Sequence, residues 1–285
     1  MKKLPLYYFS IFCICSINSN AQVKNISDSA FHSAAGNDSV FQHKSFIPGN
    51  YTYMEVDVLD NIYLITAGNQ LKKINTNGDS VAVYNDVKKY GNPSLIDVSN
   101  PLKILVYYKN FSTVVILDRL LTFRNSINFR KMGIFSVKAL ATSYDNNLWL
   151  FDEQDLKLKK LDDDGKILQE TTDLRLLVDT VPSPSQIIDS DNFVYLYDEN
   201  KGFFIFDYYG TLKNNLPFLH WEHLAISGKN LYGFVNDRLY NYELNSLNLK
   251  SYSLPFGFAD NINVKAINGK IYVLKKDGVE IYTVK

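Results

Sequence analysis

The chain has 285 residues, 46% of them hydrophobic and 14% aromatic, with 30 Lys and Arg against 30 Asp and Glu. So even a balance gives no basic footprint for nucleic acid, and the length fits one large all-β domain as well as two small ones. Tyr (20) and Phe (18) are abundant and Gly, Asn and Asp turns are frequent, which favours strands over helices.

At the start, Lys2 and Lys3 precede a mostly apolar run from Leu4 to Ile17, and Ser19 and Ala21 stand three and one before a cut ahead of Gln22. The run is about fourteen residues, short of the roughly twenty that a membrane helix needs. No later stretch is as apolar for as long, so no membrane span is expected. Residues 1–21 therefore read as a cleavable signal peptide, and the protein as secreted, periplasmic or part of the cell envelope. Both cysteines, Cys13 and Cys15, fall inside this signal. A lipoprotein signal wants a small residue just before the acylated cysteine, and Phe12 and Ile14 occupy those places. Residues 22–38 are small and polar and read as a flexible lead-in.

From there on the chain repeats itself. A turn followed by an alternating strand recurs at Asn61-Ile62-Tyr63-Leu64, Lys103-Ile104-Leu105-Val106, Asn147-Leu148-Trp149-Leu150, Phe193-Val194-Tyr195-Leu196, Asn230-Leu231-Tyr232-Gly233 and Lys270-Ile271-Tyr272-Val273. The third positions are 42, 44, 46, 37 and 40 residues apart. A period near that length is what four short strands and their turns consume. Further turns such as Gly68-Asn69, Asn77-Gly78-Asp79, Asp164-Gly165 and Asn236-Asp237 punctuate each repeat, since Asn and Gly accept the positive φ of tight hairpins. Repeats two and five use the less regular Asp118-Arg119 and Asn245-Ser246.

The sixth repeat ends after its third strand, Val279 to Val284, while Val40 to Ile47 is a strand-like piece with no repeat of its own. Pairing the two closes the ring and leaves no open edge between first and last repeats. The expected fold of residues 39–285 is thus an all-β, six-bladed β-propeller of four antiparallel strands per blade, its N-terminal strand completing the last blade.

The segment Asp189-Ser190-Asp191-Asn192-Phe193-Val194-Tyr195-Leu196-Tyr197-Asp198, with Asp207-Tyr208-Tyr209-Gly210 downstream, resembles one NHL-type propeller repeat, and Ser143 to Gly165 is similar. The resemblance implies six blades around a central channel and no particular chemistry. In propellers the loops that join blades share a face with each blade's second-to-third-strand turn, and that face commonly carries the ligand site. It would collect Tyr51, Tyr90, Phe129, Arg130, Arg175, His220, Trp221 and Phe258. Aromatic and Arg side chains anchor interfaces well, so these residues form the expected recognition surface. The competing account is that such rings fill the gaps between blades, Trp221 among them.

The expected function is a secreted, non-enzymatic propeller that binds a protein, peptide or glycan partner, with no resident cofactor. The alternative is a calcium-dependent hydrolase or lactonase in the channel, with Glu55, Asn92, Asp189 and Asp260 as imagined oxygen ligands. The Glu-Gly-Pro opening that marks such enzymes is absent, and Glu55 sits in Tyr53-Met54-Glu55-Val56-Asp57. His220-Trp221-Glu222-His223 is the one compact group of reactive residue types, but a histidine spacing of three suits a helix face rather than a linking loop. No Gly-x-Ser-x-Gly elbow, phosphate loop or dinucleotide fingerprint occurs.

Overall fold

A computed structural model describes residues 41–254 and 261–284. Residues 1–38, expected to hold a signal peptide and a lead-in, lie outside the described residues.

Twenty-four strands among the described residues pair into six four-stranded antiparallel sheets. The innermost strands are Tyr51–Val56, Leu95–Asn100, Val137–Thr142, Gln186–Ser190, Glu222–Ser227 and Asn263–Ile267. Five sheets are each built from four successive strands. The sixth borrows its outer strand: Phe41–Pro48 pairs with Gly278–Val284 in the register Phe41↔Val284 to Pro48↔Gly278, interrupted by a bulge between His43 and Ser45. The ring closes through backbone hydrogen bonds between the two ends of the domain, as the unassigned strand required.

The alternation seen in the sequence is a burial pattern. In the second strands every residue of Leu148–Asp152 and Lys103–Tyr108 is buried, whereas outer strands such as Ile167–Glu170 are exposed or half-exposed. These blades bury both faces of their middle strands against their neighbours, while in the fifth blade Asn230–Val235 and Arg238–Glu243 are half-buried at several positions. Six apolar clusters result, one at each blade-to-blade interface. At the seam between the last blade and the first, Ile47, Tyr272 and Val279 pack with Met54, Ile62 and Leu64. Of the repeated third positions, Tyr63, Leu105, Trp149, Tyr195 and Tyr272 are all buried and Tyr232 is half-buried.

Turn chemistry follows the expected rule. Asn69, Asn146, Asn192, Asn236 and Asn268 all adopt positive φ at hairpin tips, a region their short amide side chains tolerate. Among the described residues the blade-linking segments include a short helix, Val87–Tyr90, and 3-10 turns at Phe129–Met132 and Leu174–Leu176.

Candidate functional site

The six inner strands surround a channel of about 770 Å³. Their pairing with the second strands fixes which residues share a level. Glu55 lies opposite Tyr63, Asp97 opposite Leu105, Ala141 opposite Trp149, Ile188 opposite Tyr195, Ala225 opposite Tyr232 and Lys265 opposite Tyr272. All six line the channel. Lys265, Glu55 and Asp97 come from consecutive blades, so one arc of this level is charged. The facing arc, Ala141, Ile188 and Ala225, is apolar.

The charged arc is held in place. Lys265 Nζ is 2.8 Å from Glu55 Oε2, and the Tyr53 hydroxyl donates to Glu55 Oε1 at 2.9 Å. Burial, followed by the neighbouring Glu55 and Asp97 carboxylates, keeps the Tyr53 hydroxyl protonated well above the usual phenol range. Asp97 accepts from the Ser99 amide at 3.1 Å and from the Thr142 amide at 2.6 Å, tying the second blade to the third. His223 also lines the channel, and burial, then the Lys265 charge, pushes its imidazole down to about 4. A partly buried ion pair is weak evidence of stability. Here it supplies fixed charge of both signs beside an apolar wall.

The residues expected to form an aromatic recognition face divide sharply. Tyr51, Tyr90, Phe129 and Trp221 are buried, with Phe129 wholly so. Tyr90 stacks on Tyr108 with ring centroids 4.9 Å apart. Phe129 packs 5.8 Å from Tyr107, and the Tyr51 ring lies against Gly49. Trp221 stacks on Phe218 at 4.6 Å and reaches Phe203 and Tyr240, wedged between the fourth and fifth blades. These four rings fill gaps between blades and offer no open contact surface, because bulky side chains are what such gaps require.

Arg130, Arg175 and His220 are exposed. Arg130 Nε donates to Ser112 Oγ at 3.1 Å, Arg175 is gripped by Asp173 on its own turn, and His220 Nδ1 stands 3.8 Å from Glu199. They sit in three different loops. Phe258 and Asp260 lie outside the described residues.

Of the imagined calcium ligands, Glu55, Asn92 and Asp189 fall within the described residues. Glu55 is engaged by Lys265 and Tyr53, while Asp189 accepts from Trp149, Ser143, Tyr144 and Tyr208. Asn92 is exposed on a linking loop. Among the described residues no three His, Cys, Asp or Glu side chains group as metal ligands.

Sequence reasoning missed Lys265, Asp97 and the Tyr144–Tyr208 pair described below. No single count back from the repeated third positions aligns Lys265 with Glu55 and Asp97, so their shared level carried no simple sequence signal. An aromatic at a hairpin tip was the signal for the pair.

Known structures share this architecture. A streptogramin B lyase matches with a TM-score of 0.55 at 16% identity, over 81% of this chain and 78% of that one. The Pan2 WD40 domain of Neurospora crassa matches with a TM-score of 0.59 at 9% identity, over 87% and 96%. BBS1N, solved in complex with ARL6DN, gives 0.55 at 11% identity, over 87% and 97%. The common property is the propeller fold. No protein-family model matches the chain and no curated protein matches it, so the NHL-type repeat over roughly residues 40–285 stays a resemblance.

Proposed function

We propose that this propeller is an extracytoplasmic binding protein that takes a peptide segment of a partner protein into its channel. The carrying observation is the single channel level where Lys265, Glu55 and Asp97 face Ala141, Ile188 and Ala225. A peptide brings donors, acceptors and apolar side chains together, which suits charge of both signs on one wall and a greasy surface on the other. The charged groups are already oriented by Tyr53, Ser99 and Thr142, so binding needs little reordering. The fold itself is neutral on the point: its neighbours include a lyase and a propeller held in a complex.

An immobilised peptide library probed with wild type and with the Glu55→Gln/Lys265→Met double variant tests this reading. The double variant should lose about tenfold or more of the signal on the peptides that wild type selects, equivalent to about 1.4 kcal/mol. Equal signals from two proteins of matching melting temperature would remove the channel as the site.

A further inference from the structure

A second cavity, about 330 Å³, opens where the inner strands of the second, third and fourth blades reach their first hairpin turns. That size is within the range of small-molecule sites, about 300–1,000 Å³. Tyr144 and Tyr208, from adjacent blades, both line it. Their rings stack in parallel, with centroids 4.2 Å apart and planes 11° from coincident. Tyr144 nevertheless keeps 63% of its surface exposed. Stacking uses one face of its ring and leaves the other to solvent.

The platform is built rather than floppy. Asp189 Oδ2 accepts from the Tyr144 amide at 3.2 Å, from Ser143 Oγ at 3.1 Å and from the buried Trp149 Nε1 at 2.9 Å, while Oδ1 accepts from the Tyr208 hydroxyl at 2.6 Å. One carboxylate thus pins both tyrosines. Lys160 Nζ lies 4.8 Å from the Tyr144 centroid and 6.0 Å from that of Tyr208. A cation over the outer face of Tyr144 would stand much farther from Tyr208, so Lys160 sits toward the side of the stack, in keeping with the exposure of Tyr144.

The charged groups around the cavity are engaged within the protein, Asp189 by its four neutral donors and the others by ion pairs. Lys160 pairs with Asp145, and Asp191 with Lys229. What the walls add are Ser99, Asn100, Ser190 and Thr142. The Thr142 Oγ1 is buried with no hydrogen-bond partner among the described residues. Hydroxyls and amides both donate and accept, and a pre-ordered aromatic ring binds a flat apolar face without an ordering cost.

We infer that this cavity is a subsite for a neutral carbohydrate, with a pyranose face on Tyr144 and its hydroxyls turned to the polar wall. A sugar combines an apolar C–H face with a rim of donor-acceptor hydroxyls and carries no charge, which is the complement of what the cavity presents. The inference is independent of the channel reading.

The test is calorimetric titration with neutral malto-, xylo- and chito-oligosaccharides up to about 10 mM, a range that captures millimolar and tighter dissociation constants. At least one sugar should bind saturably. Tyr144→Ala should weaken it tenfold or more, Tyr144→Phe should retain it, and Glu55→Gln/Lys265→Met should leave it unchanged. No saturable sugar, equal binding by a folded Tyr144→Ala protein, or saturation by an aromatic peptide in place of any sugar would overturn the assignment.

Discussion

Asp189 shows how much one side chain can organise when four donors from two blades converge on it. Removing it strands the indole N–H of Trp149, which is 1% exposed. An unsatisfied buried donor costs about 1–3 kcal/mol, so Asp189→Ala should lower the unfolding free energy in urea by about 3 kcal/mol. Asp189→Asn keeps one acceptor oxygen and should cost less. His223 supplies a second prediction at this scale. Burial, with a smaller push from Lys265, holds its pKa at about 4 in the folded protein, whereas an unfolded histidine takes its proton near pH 6.5. Between those values the unfolded chain binds more protons, so stability falls as pH drops through the window. The full shift corresponds to at most about 3 kcal/mol. From pH 7 to pH 4 the denaturation midpoint of wild type should fall relative to that of His223→Asn; parallel curves would mean that His223 is not held neutral. Asn suits this position because His223 has φ +50°.

At the scale of strands and loops, Trp221 and the strand Asn230–Val235 act as one packed unit. A Cβ on Gly233 would stand 2.3 Å from Trp221 Cε3, so Gly233→Ala must displace the indole. Such overpacking costs about 1–3 kcal/mol, and Trp221→Ala, which empties the wedge, about 3–5 kcal/mol. In a double-mutant cycle the alanine at 233 should cost little once Trp221 is gone. Additive losses would show that the two do not share space. The same loop explains what the sequence could and could not reveal. The strands were legible because middle strands bury both faces and leave short apolar words between polar turns. The loops were not. Nothing in Phe129 or Trp221 as residue types tells whether a loop ring faces solvent or a gap between blades, and the gap took them both. The charged channel level was hidden by turn length. Glu55, Asp97 and Ala141 stand eight residues before Tyr63, Leu105 and Trp149, whereas Ile188, Ala225 and Lys265 stand seven before Tyr195, Tyr232 and Tyr272. A single count back from the repeated aromatic therefore cannot align all six, and Lys265 loses its place beside Glu55.

For the whole ring, the sixth blade interface exists only if the two ends of the domain meet, because Ile47 must join Tyr272, Val279, Met54 and Ile62 in one cluster. An open ring would leave that cluster and a long strand edge in water, an invitation to pair with another copy. The register offers a direct probe. Gln42 and Thr283 are paired across the seam, and Thr283 Oγ1 donates to the Gln42 carbonyl at 3.4 Å. Opposed residues in an antiparallel pair bring their Cα atoms to about 4.5–5.5 Å, within the span of a disulfide. A Gln42→Cys/Thr283→Cys protein, in a background with Cys13 and Cys15 changed to serine, should therefore oxidise to a single intramolecular bond. That bond would encircle nearly the whole propeller, and loop-closure entropy sets its gain at up to about 5 kcal/mol, less any local strain. The reduced form of the same chain provides the reference, so the difference in urea midpoint isolates the closure. If the thiols stayed free under oxidant, or linked only between molecules, the strand Phe41–Pro48 would not lie where the last blade needs it. The ring would then be held by five interfaces instead of six.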